Sequence, residues 1–348
     1  MSESSGSGVT ITKKRINQIH VKPMKTRNST DTRPVKGRDL FSEVYANVFL
    51  CAKKKSGKSV VIGTIIKECA GPSTQVLVFC STVNKDANHL AIRDWCKKHK
   101  IKYEGFSSIV EHKVDFLTSF IKHLEKEAEE ETLDASEDDE EDFGPKFDKY
   151  GGSRPKIIKG MFEDEVSADP NSSESEYSDE EDSEDEMFGT HIPTKAQQKL
   201  FSNRNKTSVV VRDKFLAPEY IFVFDDLSHE LKLPSLVSLM KKNRHFKSLV
   251  ICSSQYCHDL KPEQLKQLDY CLLFKGQSDD KLQKFITDCD IGIDLTTMSK
   301  IYKDAIKQPY SFLYCDVRND LFRERFGEMY LIHKNESAED ETVIKSSV

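Results

Sequence analysis

One stretch, residues 48–62 (VFLCAKKKSGKSVVI), leaves this chain few architectures to choose from. An apolar run ends at Cys51. A short polar loop then closes in Gly57-Lys58-Ser59, and a helix-like segment follows. Strand, glycine-containing loop, Lys-Ser and helix is the layout of a phosphate-binding loop. The strand fixes the loop at a sheet edge, and the loop N–H groups and the helix N-terminus face an anion. The candidate phosphate-binding residues are Ala52, Lys53, Lys54, Lys55, Ser56, Gly57, Lys58 and Ser59. Lys58 would neutralise the β- and γ-phosphates of ATP, and the Ser59 hydroxyl would ligate Mg²⁺. Against the pattern GxxxxGK[ST], Ala52 stands where the first glycine belongs. A near-match this short requires a partner motif elsewhere.

Residues 220–226, YIFVFDD, provide it. An apolar strand ending in two acids delivers carboxylates to its C-terminal edge, where open α/β sheets bind ligands. Asp225 is expected to hold Mg²⁺ beside Ser59, and Asp226 to polarise an attacking water. Residues 247–253 (KSLVICS) read as the next buried strand, with Gln255 just beyond its tip as a γ-phosphate sensor. Arg244, just before that strand, has two readings. It either stabilises transferring phosphate charge, in cis or across a subunit boundary, or caps the C-terminus of the preceding helix.

The remaining pattern is α/β, with a mostly parallel central sheet flanked by helices. Strands are expected at 44–51, 75–80, 101–106, 209–212 and 270–275, with 310–315 and 328–332 as a terminal pair. Nearly continuous apolar runs such as QVLVFC suit strands covered on both faces. Helices are expected at 59–69, 86–99, 109–127, 234–243 and 279–289, and Trp95, the single tryptophan, reads as a core anchor. The domain built around the phosphate loop is thus assigned to 41–127 and 206–335.

Two stretches break that pattern. Residues 1–40 form a basic arm with few bulky apolar side chains, suited to phosphate contacts or nuclear import. Residues 128–205 read as a disordered acidic insertion, and 336–348 as a disordered tail. Only 37% of residues are hydrophobic, which fits a partly unfolded chain. Residues 125–187 hold 26 acidic and 6 basic side chains, net −20, leaving 46 basic and 32 acidic elsewhere, net +14. A basic body with an acidic insert suggests a polyanionic partner and an internal mimic of one. Ser136, Ser175, Ser178 and Ser183 lie in surroundings that suit acidophilic kinases. Nine scattered cysteines, none in a CxxC pair, read as small buried hydrophobes in a reducing compartment. No stretch is apolar enough to span a membrane, so an intracellular protein is expected.

A GTPase is disfavoured because Asn84-Lys85-Asp86 carries Ala87 where a guanine-reading acid belongs, and lies too early. A nucleotide kinase would carry a compact basic lid, which is not evident. An ATP-driven motor needs an acid after the Mg²⁺ carboxylate, a polar sensor and an Arg finger; Asp226, Gln255 and Arg244 supply them. The ordered set AKKKSGKS, YIFVFDDL, KKNRHFKSLVICSSQ, YCLLFK and YSFLYCD resembles the genome-packaging ATPases of poxviruses and related large DNA viruses, and of Polinton/Maverick elements, within the FtsK–HerA superfamily. The resemblance covers residues 41–127 and 207–333. It implies an oligomeric ring that hydrolyses ATP with Mg²⁺ and moves double-stranded DNA into a capsid, docked on a portal or vertex protein. Residence in the host nucleus, a cytoplasmic viral assembly site or the virion would follow. The helix after Gln255 lacks the arginine often found there; either Lys261 or Lys266 stands in for it, or that role is absent. The alternatives on the same fold are an ATP-binding regulatory switch and a nucleotide kinase.

Overall fold

The computed structural model describes residues 32–111, 113–137, 214–333 and 342–346. The basic arm up to residue 31, the expected strand at 209–212, three of the four candidate phosphorylation serines (Ser175, Ser178 and Ser183), and the acidic insertion beyond Glu137 lie outside them. Among the described residues, no helix is long and apolar enough to cross a membrane.

The centre is a ten-stranded sheet. Its strands are β1 (Asn47–Cys51), β2 (Gln75–Cys80), β3 (Lys102–Phe106), β6 (Tyr220–Asp225), β7 (Ser248–Ser254), β8 (Tyr270–Phe274), β9 (Phe312–Asp316), β10 (Leu321–Glu324), β11 (Glu328–His333) and β12 (Thr342–Ser346). The spatial order is β12-β11-β10-β9-β8-β1-β7-β6-β2-β3. From β8 to β3 all neighbours are parallel, and β8 to β12 form an antiparallel extension. A short hairpin, β4 (Val110–Glu111) and β5 (Val114–Asp115), stands apart. The helices are α1 (Lys58–Cys69), α2 (Ala87–Lys98), α3 (Phe116–Glu137), α4 (Pro234–Lys242), the single turn α5 (Pro262–Leu265), α6 (Asp279–Cys289) and α7 (Leu295–Ala305).

The period of two along each strand divides the apolar side chains between two cores. Val48, Leu50, Val76, Val78, Ile221, Val223, Leu249 and Ile251 pack under α1 and α2. Phe49, Leu77, Phe79, Phe222, Phe224, Val250 and Cys252 pack under α3, α4, α6 and α7. The second face is aromatic, with Phe79 and Phe224 stacked at 5.0 Å across neighbouring strands. This two-sided burial is why the inner parallel strands read as unbroken apolar runs, while the edge strand β3 (KYEGF) does not. On the first face, a Cβ at Gly63 would lie 3.3 Å from Ile92, so that glycine lets α1 and α2 approach closely.

Several expectations are corrected. Val110–Glu111 and Val114–Asp115 pair as the β4–β5 hairpin in place of the expected helix start, and Glu230, far along the chain, accepts hydrogen bonds from the Ile109 N–H and the Ser108 hydroxyl beside it. Helix α3 then runs on to Glu137, past the expected end and into the segment assigned to the insertion. Trp95 is half-buried at the margin of the first core and stacks on His99 at 4.3 Å. Residues 310–315 and 328–332 do not pair with each other: β10 lies between them. The tail expected to be disordered includes β12, paired to β11 with Leu331 opposite Ile344.

Candidate functional site

Parallel register fixes the site. Cys80 on β2 stands beside Asp225 on β6, Asp225 beside Ser253 on β7, and Ser254 beside Cys51 on β1. Four neighbouring strands therefore end at one edge, and the loop after β1 crosses it. Ala52 is fully buried and its N–H donates to Ser254 O at 2.9 Å. It is not among the residues with positive φ, so alanine fits where the motif usually has glycine. Lys53 lays its aliphatic stem over Gly276. Lys54 and Lys55 are exposed, and Lys55 takes a left-handed φ of 63°. The Ser56 hydroxyl is buried and has no hydrogen-bond partner among the described residues. Gly57, at φ 89°, is the N-cap of α1, and its carbonyl accepts the N–H groups of Val60 and Val61. Only glycine adopts that conformation without strain.

Lys58 opens α1 and turns into the sheet edge. Its Nζ lies 2.9 Å from Asp225 Oδ1 and 2.9 Å from Asp226 Oδ1. Asp226 follows the strand at φ 55°, with its N–H on Ser253 O, and this turn aims its carboxylate at Lys58. Asp225 has two further partners: the Ser253 hydroxyl donates to Oδ1, and His89 Nε2 lies 3.0 Å from Oδ2. Burial opposes charge on each of these groups, and their pairing overcomes it. Asp225 is held down at about 2 by His89, Lys58 and Ser253. His89 is pushed up to about 10 by Asp225 and Cys80, and Lys58 is raised by the two carboxylates. Two cations thus balance two carboxylates.

The arrangement suits a nucleoside triphosphate with Mg²⁺. A left-handed glycine at a helix N-terminus, an orphaned buried hydroxyl at Ser56 and a lysine already held by anions form a cradle for phosphate. The half-buried Ser59 hydroxyl and the Asp225 carboxylate are hard oxygen donors. The fold is that of a P-loop NTPase. Gln255, half-buried, follows β7 directly and stands at the same edge, where its backbone carbonyl accepts from the Cys51 thiol at 3.7 Å. Ser254 donates to Asp259, which ties down the loop that carries Gln255.

Arg244 is elsewhere. It precedes β7, whose seven residues place it roughly 20 Å from the phosphate loop at the opposite sheet edge. Half-exposed, it lies 3.5 Å from the buried Asp269, so a role in cis is ruled out. His89 and Ser253 went unread in the sequence. The signal for His89 was present: it shares the inward face of α2 with Ile92 and Cys96, at positions i, i+3 and i+7.

No protein-family model and no curated protein matches the chain. Among solved structures, the chain is similar to the genome packaging NTPase B204 from Sulfolobus turreted icosahedral virus 2 in complex with AMP, at 15% identity and a TM-score of 0.40, covering 81% of this chain and 96% of that one. It is likewise similar to B204, the DNA-packaging ATPase from Sulfolobus Turreted Icosahedral Virus, at 14% identity and a TM-score of 0.41, covering 80% and 95%.

Proposed function

We infer that this protein is an ATP-hydrolysing motor that moves double-stranded viral DNA into a capsid, of the type found in poxviruses and Polinton/Maverick elements. The observation that carries the reading is the meeting of Lys58 with Asp225 and Asp226 beside Gly57, at the edge where Gln255 also stands. The order of the motifs along the chain supports the packaging class.

The chain's own residues then act as follows. The loop N–H groups and Lys58 take the β- and γ-phosphates, and Lys58 leaves its carboxylates to do so. Ser59 and Asp225 would hold Mg²⁺, which neutralises charge on the phosphates. His89 and Ser253 keep the Asp225 carboxylate ionised and oriented while Lys58 is away. Asp226, freed from Lys58, orients and deprotonates the attacking water. Gln255 reads the presence of the γ-phosphate. Arg244, at the far edge, completes a neighbouring subunit's site in a homo-oligomeric ring and couples hydrolysis from one subunit to the next. Backbone contacts to DNA are sequence-independent, and the portal or vertex of a capsid is the docking partner.

The test is ATP turnover with and without duplex DNA, with particle mass measured alongside. A motor gives DNA-stimulated turnover from an oligomer, and the stimulation falls steeply with salt. Slow turnover indifferent to DNA contradicts this reading and leaves a nucleotide switch.

A further inference from the structure

One residue at the nucleotide edge is unexplained by the phosphate chemistry. Among the described residues, Tyr310 is the most exposed of the large hydrophobic side chains, at 70%. It also sits at φ 60°, in the left-handed region. The Ser311 N–H closes a turn on Gln308 O, with Pro309 second and Tyr310 third. Proline followed by a positive φ is the type II arrangement, whose third position is ordinarily glycine or asparagine. A bulky aromatic there is strained, and strain of that kind is retained where it has a use. An exposed ring adds no core packing to offset the strain.

Its location indicates the use. Phe312 begins β9 opposite Phe274 at the end of β8, so Tyr310, two residues earlier, lies beyond the same edge as the phosphate loop. A Cβ built on Gly57 would lie 3.2 Å from Tyr310 Cδ1, which puts the ring against the loop itself. The sheet order gives the direction of the ligand. Asp225, Asp226 and Gln255 flank β1 on the β7–β6 side, and this fixes the γ-phosphate end there. The nucleoside end then extends towards β8 and β9, where Tyr310 stands. Val60, 61% exposed on the first turn of α1, adds apolar surface beside the same loop.

We propose that Tyr310 is the platform on which the base of the bound nucleotide stacks, so that the turn at residues 308–311 is a nucleoside-binding element. This rests on the reading of the loop as a phosphate site. Stacking on a ring face uses the π-surface that every base has, so it contributes affinity with little discrimination among bases.

The experiment is calorimetric binding of ADP and of inorganic pyrophosphate to the full chain, to Tyr310→Ala and to Tyr310→Trp. ADP carries the base and pyrophosphate does not. Tyr310→Ala should weaken ADP by about ten-fold or more and leave pyrophosphate unchanged. Tyr310→Trp should retain ADP binding, and ADP but not pyrophosphate should quench the new indole. Because the ring is exposed, its removal should leave unfolding unaltered. Unchanged ADP binding by Tyr310→Ala overturns the proposal. Equal weakening of ADP and pyrophosphate also overturns it, since the ring would then act by shaping the loop at Gly57. A wild-type chain that binds neither ligand would bring down the phosphate-site reading itself, and the stacking role with it.

Discussion

Replacing His89 with leucine would leave Asp225 Oδ2 without its partner at 3.0 Å, while Lys58 and Ser253 remain on Oδ1. Asp225 is only 4% exposed, so water cannot readily take the place of the imidazole. The carboxyl sits at about 2 against an ordinary 3.8, which corresponds to roughly 2–3 kcal/mol of folding free energy at neutral pH, shared among His89, Lys58 and Ser253. His89 and Asp225 share one bond, so their contributions do not add, and the smaller perturbation sets the scale. His89→Leu removes only its share of that stabilisation and should cost about 1–2 kcal/mol near pH 6, measured by urea unfolding followed by circular dichroism. The pH profile gives a second check. The imidazolium is held to about pH 10 in the folded chain and to 6.5 in the unfolded one, so its contribution is complete below 6.5 and drains away as the pH rises to about 10. The carboxylate contributes fully above 3.8 and is lost as the pH falls to about 2. The stability difference between wild type and variant should thus be flat between about pH 4 and 6.5 and shrink on both sides. A difference below about 0.5 kcal/mol, or one that grows above pH 7, would refute the ion pair.

Three further outcomes follow from the geometry. Gly57→Ala should lower stability by about 1–2 kcal/mol and weaken pyrophosphate binding at least ten-fold, because a side chain there is strained at φ 89° and meets Tyr310; calorimetry reads both. Phe224→Ala should cost about 3–5 kcal/mol in urea unfolding, since it empties the aromatic stack with Phe79 and Phe222 beneath Asp225. Arg244→Ala and Lys58→Ala should each abolish turnover alone, yet regain part of it when mixed. A subunit that has lost Lys58 still offers Arg244 to a neighbour with an intact loop, and no recovery on mixing would remove the trans role.

Much of the site was legible because its signals are local. The phosphate loop and the β6 tip are each contiguous, and the sheet interior announces itself through apolar runs. The β2 and α6 boundaries coincide with their expected spans for that reason. What escaped depends on distant partners or on weak patterning. The β4–β5 hairpin is pinned by Glu230, more than a hundred residues away. Strand β10, LFRE, is short and carries two charges, and it exists because Phe312–Asp316 offers an edge to pair with. Helix α7 has a capping signal, since Asp294 accepts from the Thr297 N–H, but its threonine-rich start conceals it. Arg244 follows from a rule the sequence already contained: in a parallel sheet, a residue just before a strand lies at the opposite edge from one just after it. Gln255 and Arg244 flank the same strand and so cannot share a site within one chain. Ala52 looked like a blemish only while its backbone was unknown.

The central claim is that Lys58, Asp225 and Asp226 form a hydrolytic centre. The most direct measurement is steady-state phosphate release from ATP with Mg²⁺ by wild type, Lys58→Ala and Asp226→Asn, with circular dichroism to confirm the fold of each. Wild type should turn over, Lys58→Ala should lose both ATP binding and turnover, and Asp226→Asn should bind ATP but release phosphate at least a hundred-fold more slowly, on the order of a lost general base. Normal phosphate release by either variant would contradict the assignment of the site.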